Sequence, residues 1–155
     1  MIVQLKNISK QYKDAKFKLQ NISFDINKKE VIGIIGRNGT GKSTILKMIN
    51  GIVNYDSGDI LYKNQSLSKM TPATLRQTIK NLAYIFQHSN LIDNKSVYYH
   101  LSLVYKLNKV PVDKKKVNYI LEFMNISRLK DSLCGSLSGG EQQKVAIAMA
   151  LLQEP

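Results

Sequence analysis

Ile2-Val3-Gln4-Leu5-Lys6-Asn7-Ile8 nearly alternates apolar and polar positions, which predicts a strand with one buried face. Phe17-Lys18-Leu19-Gln20-Asn21-Ile22-Ser23-Phe24-Asp25-Ile26 holds a second alternating strand. Val31-Ile32-Gly33-Ile34-Ile35 is apolar throughout, the pattern of a strand buried on both faces of a parallel sheet. From Lys42 the period turns helical; Ile45, Leu46 and Ile49 are predicted to share a face, and Asn50-Gly51 to stop the helix. Asp56-Ser57-Gly58 reads as a turn into the short strand Asp59-Ile60-Leu61-Tyr62. Thr71-Pro72 opens a short helix with Thr71 as N-cap, and Leu82-Ala83-Tyr84-Ile85-Phe86 is another apolar strand. Ser96 to Leu107 and Lys114 to Met124 then read as helices with no strand between, and a last helix runs from about Gly140 to Leu152. The fold class is α/β, with a helical subdomain inserted into the core.

Composition narrows this picture little. A chain of 155 residues holds one domain with a real core, and 43% hydrophobic with 22% charged residues is ordinary for a soluble protein. No apolar run approaches the ~20 residues of a membrane span, and the N-terminus turns polar too soon for a secretory signal. The lone cysteine, Cys134, excludes an internal disulfide and fits a reducing cytosol. The net charge of +12 raises the question of a nucleic-acid or anionic-membrane partner. Only Arg37, Arg76 and Arg128 are arginines, and the densest run, Lys114-Lys115-Lys116, is not interleaved with aromatics. Since arginine is preferred for bidentate phosphate and guanine contacts, no nucleic-acid partner is expected.

The chemistry concentrates in Gly36-Arg37-Asn38-Gly39-Thr40-Gly41-Lys42-Ser43-Thr44, which fits G-x-x-x-x-G-K-[ST] between an apolar strand and a helix. Gly36, Gly39 and Gly41 let backbone N–H groups turn inward as an anion nest, and the helix start adds partial positive charge. Lys42 would reach the β- and γ-phosphates of a nucleotide, and Ser43 would hold Mg²⁺ through its hydroxyl.

A second glycine pair lies in Leu137-Ser138-Gly139-Gly140-Glu141, just before the last helix. Ser138 and Glu141 alone read as S-x-x-E, a capping box. A phosphate loop, an isolated glutamine at Gln87 and LSGGE at a helix start together resemble the ATP-binding cassette (ABC) family, over essentially the whole chain. The resemblance implies a phosphate-loop NTPase core (RecA-like) with N-terminal antiparallel β strands and the inserted α-helical subdomain. It divides residues 1–155 into an ATP-binding core with the antiparallel part (1–87), a helical subdomain (88–136) and the signature motif with its helix (137–155).

It also implies roles, with ATP and Mg²⁺ as cofactors. Arg37, Asn38, Thr40 and Thr44 join the glycines, Lys42 and Ser43 around the phosphates. Tyr12 stacks on adenine. Gln87 meets Mg²⁺ and the attacking water and relays movement to the membrane partner. Leu137, Ser138, Gly139, Gly140 and Glu141 face the γ-phosphate held by a second subunit. The implied partners are that second ABC ATPase subunit, in a homodimer, and transmembrane permease subunits, so the chain is placed in the cytoplasm, peripheral on the cytoplasmic face of the cell membrane. Phe86-Gln87-His88-Ser89-Asn90-Leu91 is similar to a stretch of methionine and other amino-acid importers, although the permease and binding protein select the solute. His88 reads as a loop histidine and His100 as a residue of the helical insert.

Family hydrolysis needs an apolar strand ending in Asp-Glu after the signature helix, then a loop aspartate and a switch histidine. Leu151-Leu152-Gln153-Glu154-Pro155 imitates the first, but Glu154 follows the signature helix with no room for a strand. The expectation is therefore a cassette whose C-terminal core part is missing, with no complete catalytic set and only Lys42 and Gln87 contributing. Exposed apolar faces and marginal stability would follow. The alternatives are a non-hydrolysing truncated module or half of a split ATPase; a phosphate-loop kinase is disfavoured by LSGGE. Lys144 and Met149 stand where relatives usually carry arginine.

Overall fold

Asn7 explains why the first strand only nearly alternates. In the computed structural model, which describes residues 1–12 and 18–155, β1 (Val3–Gln11) buries Val3, Leu5 and then Ile8. A period of two would bury residue 7 next. Asn7 instead adopts φ 50°, and the β1 pairing shifts register on both sides of it. The extra residue returns Ile8 to the core face, as a bulge does. The side chain of Ser23 secures it, accepting from the Asn7 N–H at 2.8 Å and donating to Asn7 Oδ1 at 3.1 Å.

β2 (Lys18–Ile26) pairs antiparallel with β1, and β3 (Ser57–Tyr62) pairs antiparallel with its other edge. With the short β4 (Gln65–Ser66) beyond β3, the sheet order is β2-β1-β3-β4. Val3 opposes Tyr62 and Leu5 opposes Ile60, so buried residues face buried residues across the ladder. The antiparallel strands predicted at the N-terminus are therefore present; Phe17, the predicted start of the second, lies outside the described residues.

Two predicted core strands differ. Residues 31–35 and 82–86 join no ladder among the described residues, and Val31 and Ile35 are each 97% exposed. An apolar run states what its side chains would bury against, but a strand exists only through the N–H and C=O groups of a neighbour. The helix α1 (Lys42–Ile49) also corrects a face: Ile45, Met48 and Ile49 are buried, while Leu46 is 43% exposed. At about 100° per residue, positions 45, 48 and 49 cluster and 46 falls outside them. After β4, α2 (Pro72–Ile79) begins at the predicted proline, with the Thr71 hydroxyl accepting from the Thr74 N–H at 3.3 Å.

The chain divides into two units, Met1–Ile79 and Lys80–Pro155. The second is helical: α3 (Val97–Leu107), α4 (Lys114–Phe123) and α5 (Gly139–Leu152). Each contributes one stripe to a shared core: Val97, Leu101 and Val104 from α3, Val117, Ile120 and Leu121 from α4, Val145, Ala148 and Leu152 from α5. These are the i, i+3, i+4 and i+7 spacings of amphipathic helices. Ser96 and Asp113 cap α3 and α4 with side-chain acceptors. No helix among the described residues is long and apolar enough to cross a membrane.

Candidate functional site

In the first unit, the phosphate-loop residues fold as a tight turn onto the start of α1. Gly39 and Gly41 have φ of 81° and 90°, in the left-handed region that favours glycine. Between them Thr40 turns back, its hydroxyl donating to the Arg37 carbonyl at 2.8 Å. The Lys42 ammonium lies over the same turn, donating to the carbonyls of Gly36 and Arg37 at 2.8 Å each. Gly41 caps α1 without a side-chain acceptor, and no acidic residue occupies the first turn. Among the described residues, the leading N–H groups of α1 therefore have no capping side chain, and no carboxylate of the first turn competes for them. Arg37, Asn38 and Ser43 are exposed, and Thr44 is half-buried on the helix.

Tyr12 follows β1, 41% exposed, with the Lys10 ammonium 5.5 Å from its ring centroid. Asp56 holds that lysine at 2.8 Å and accepts the Gln11 N–H at 2.8 Å. The hydrogen bond from Lys10 pulls the Asp56 carboxyl below its ordinary range. An ion-paired strap thus fixes the strand end from which Tyr12 projects. A separate cavity of about 270 Å³ beside the C-terminal half of α1 is lined by Met48, Tyr55, Leu67 and Leu75, with no phosphate-loop residue in its wall.

In the second unit the S-x-x-E capping box is formed and coexists with the glycine motif. Ser138 Oγ accepts from the Glu141 N–H at 3.4 Å, and the Ser138 N–H donates to Glu141 Oε2 at 3.0 Å. Arg128 donates to the other carboxylate oxygen at 2.9 Å. Leu137 is buried and anchors the motif, whereas a Cβ at Gly139 or Gly140 would meet nothing within 4 Å. Of the five motif residues, Gly139 and Gly140 are left open at the helix start, while Ser138 and Glu141 are turned to capping.

Hydrogen bonding to Ser138 lowers the Glu141 carboxyl from its ordinary value. A depressed folded-state value means stabilisation that is complete above the unfolded value of about 4.3 and fades as pH falls through the folded value. Thermal midpoints of the wild type and Glu141→Gln should therefore differ most near neutral pH and converge in acid. A gap that persists unchanged to pH 3 would contradict this.

Gln87 lies in an exposed loop of the same unit and lines a cavity of about 270 Å³ with His88, Ser89, Gly139, Gln142 and Gln143. The structure so brings the predicted glutamine and one signature glycine to one cavity. His88 is a loop residue here, while His100 is buried at 2% exposure. His100 Nε2 accepts the Ile92 N–H at 2.8 Å, and its Nδ1 meets the Ser96 carbonyl at 2.8 Å. Cys134 Sγ lies 3.4 Å from that Nδ1, and burial pushes its thiol pKa up. Glu154 follows α5 in a left-handed turn and pairs with Lys116. Gln142 escaped sequence reasoning. Its signal was a polar side chain three residues before Val145, on the buried stripe of α5.

The ABC transporter family profile matches residues 19–155. The chain is 39% identical over 157 residues to the methionine import ATP-binding protein MetN of Clostridium tetani, covering 99% of this chain and 49% of that protein. It is 39% identical over 157 residues to the molybdate/tungstate import ATP-binding protein WtpC of Methanocaldococcus jannaschii, covering 99% and 50%. The chain spans about half the length of these curated relatives. Among solved structures, cbiO1 of Clostridium perfringens, part of the ABC transporter complex cbiONQ, superposes with TM-score 0.86 at 32% identity, covering 99% of this chain and 62% of that one. The dimeric cassette MJ0796, bound to ADP and Pi in a post-hydrolysis state, gives 0.84 at 28% identity, covering 99% and 71%.

Proposed function

The chain belongs to the ABC transporter family, and from that premise we propose that it is an ATP-binding subunit that binds MgATP to drive solute import. The phosphate loop carries this reading: left-handed glycines on either side of Thr40, a side-chain-free helix start and the Lys42 ammonium over the turn. That donor set fits a nucleotide's phosphates, since every group it presents is a donor or a cation. Bound Mg²⁺ would supply charge neutralisation of the phosphates, and the exposed Ser43 hydroxyl would be its protein ligand. Tyr12 would take the adenine, Gln87 would sense the γ-phosphate, and Ser138, Gly139 and Gly140 would face the nucleotide of a second copy. The functional division at 87 and 136 belongs to the same proposal.

The proposed partners are that second subunit and a transmembrane permease, with the chain on the cytoplasmic face of the membrane. The proposed solute class is amino acids, methionine included; it rests on Phe86–Leu91 and on relatives named for methionine import.

Calorimetric titration with MgATP tests this. We expect saturable binding, and Tyr12→Ala should weaken ATP while leaving inorganic triphosphate unchanged. Base–aromatic stacking of about 1–3 kcal/mol corresponds to a loss of roughly 5- to 100-fold. No heat of binding to the wild type at millimolar MgATP would overturn the proposal.

A further inference from the structure

The Gln142 side chain joins three separate pieces of the second unit. Its Nε2 donates to the Cys134 carbonyl at 3.0 Å and reaches the Leu137 carbonyl at 3.5 Å. Carbonyls only accept, so the amide orientation is fixed by chemistry. Its Oε1 then faces Ser89, whose hydroxyl donates to it at 3.0 Å. Ser89 stands two residues after Gln87, and Gln142 itself lies in the first turn of α5, its N–H bonded to the Ser138 carbonyl at 2.9 Å.

The rest of the loop is held differently. Its far end is stitched by backbone: Gly135 N–H to the Asp93 carbonyl at 3.0 Å, Cys134 N–H to the Lys95 carbonyl at 2.9 Å. Ile92 is tied to His100, which is buried in α3. The end nearest Gln87 instead borders the cavity and meets α5 through the Ser89 hydroxyl. One half of the loop is therefore clamped by several hydrogen bonds, while among the described residues the half nearest Gln87 is hydrogen-bonded to α5 through one side chain, that of Ser89.

We propose that Gln142 is a positioning residue that couples the Gln87 loop to the signature segment Ser138–Glu141. A displacement of Ser89 is passed through the amide to the first turn of α5 and to the Cys134–Leu137 strap that leads into it. Conversely, a ligand that fixes the Ser138–Gly140 helix start restrains Ser89 and the backbone next to Gln87. The functional weight of this coupling rests on the nucleotide-binding reading above, but the coupling itself does not.

Hydrogen–deuterium exchange on the full chain tests it. Ser89→Ala removes one hydroxyl from a half-exposed position and should leave the fold intact. Exchange should rise about 2- to 10-fold, the range one neutral hydrogen bond supplies, at residues 87–91 and also at residues 141–144. The α4 amides should not change. Ser89→Thr, which keeps the hydroxyl, should restore wild-type rates. Adding Ser89→Ala to Gln142→Ala should give no further increase at 141–144, because the joint is already open.

A Ser89→Ala effect confined to 87–91 would overturn the proposal, as would a double variant in which the two effects multiply at 141–144. The exchange arms contain no nucleotide, so their outcome stands or falls apart from the MgATP titration. If MgATP does bind, it should slow exchange at 141–144 in the wild type more than in Ser89→Ala. Equal slowing in both would count against the joint as the route.

Discussion

Lys42→Ala should weaken MgATP binding by about 10- to 100-fold while leaving the folded protein almost as stable as before. The ammonium sits over the phosphate turn, its donors on the carbonyls of Gly36 and Arg37. A phosphate oxygen offers the same donors a full negative charge, and hydrogen bonds involving a charged group contribute about 1.5–3 kcal/mol. Each 1.4 kcal/mol is about tenfold in affinity, which sets the expected range. The bonds lost to the free protein are to exposed loop carbonyls that water can satisfy, so the thermal midpoint should move little. Lys42→Arg keeps the charge but replaces a point donor by a planar fork, and should recover only part of the affinity. Fluorescent-nucleotide displacement for the three proteins decides this. An affinity unchanged in Lys42→Ala would remove Lys42 from the phosphate site.

The largest expected effect on stability lies far from that loop in sequence. Gly58 has φ 90°, and a Cβ there would lie 2.5 Å from the carbonyl oxygens of both Lys6 and Asn7. Those atoms are backbone of the bulged stretch of β1 and cannot swing aside as a side chain would. Gly58→Ala therefore adds left-handed strain of about 1–3 kcal/mol to crowding of about 1–3 kcal/mol. A combined loss of about 2–6 kcal/mol is a large part of the 5–15 kcal/mol by which domains are ordinarily stable. Ser57→Ala, at the exposed neighbouring position, should stay within about 0.5 kcal/mol. Urea denaturation of both variants measures the difference; a Gly58→Ala midpoint matching Ser57→Ala would show that the bulge yields.

The helices were legible because their information is local. The α3, α4 and α5 stripes follow from spacing alone, and Ser138 with Glu141 announced its own cap. The phosphate loop was legible for the same reason: its glycines, lysine and serine lie within nine consecutive positions, Gly36 to Thr44. What escaped depends on partners. The apolar runs 31–35 and 82–86 have the composition of core strands, yet pairing belongs to the neighbour and cannot be written into the run. The face of α1 is ambiguous at Leu46 because four apolar residues in five positions, 45 to 49, fit more than one stripe. Gln142 was visible as a polar residue on a buried stripe, but its bond to Ser89 spans 53 positions and leaves no mark at either end.

The order of strands in the sheet also bears on how the protein is made. β1 sits between β2 and β3, so its pairs with Ser57–Tyr62 wait until all of α1 has been synthesised. At about 5–20 residues per second, that is a delay of seconds. Through it the nascent hairpin of β1 and β2 shows an open edge, the kind of surface that chaperones and other chains engage. Slower translation between β2 and β3 would consequently lengthen the exposure of that edge.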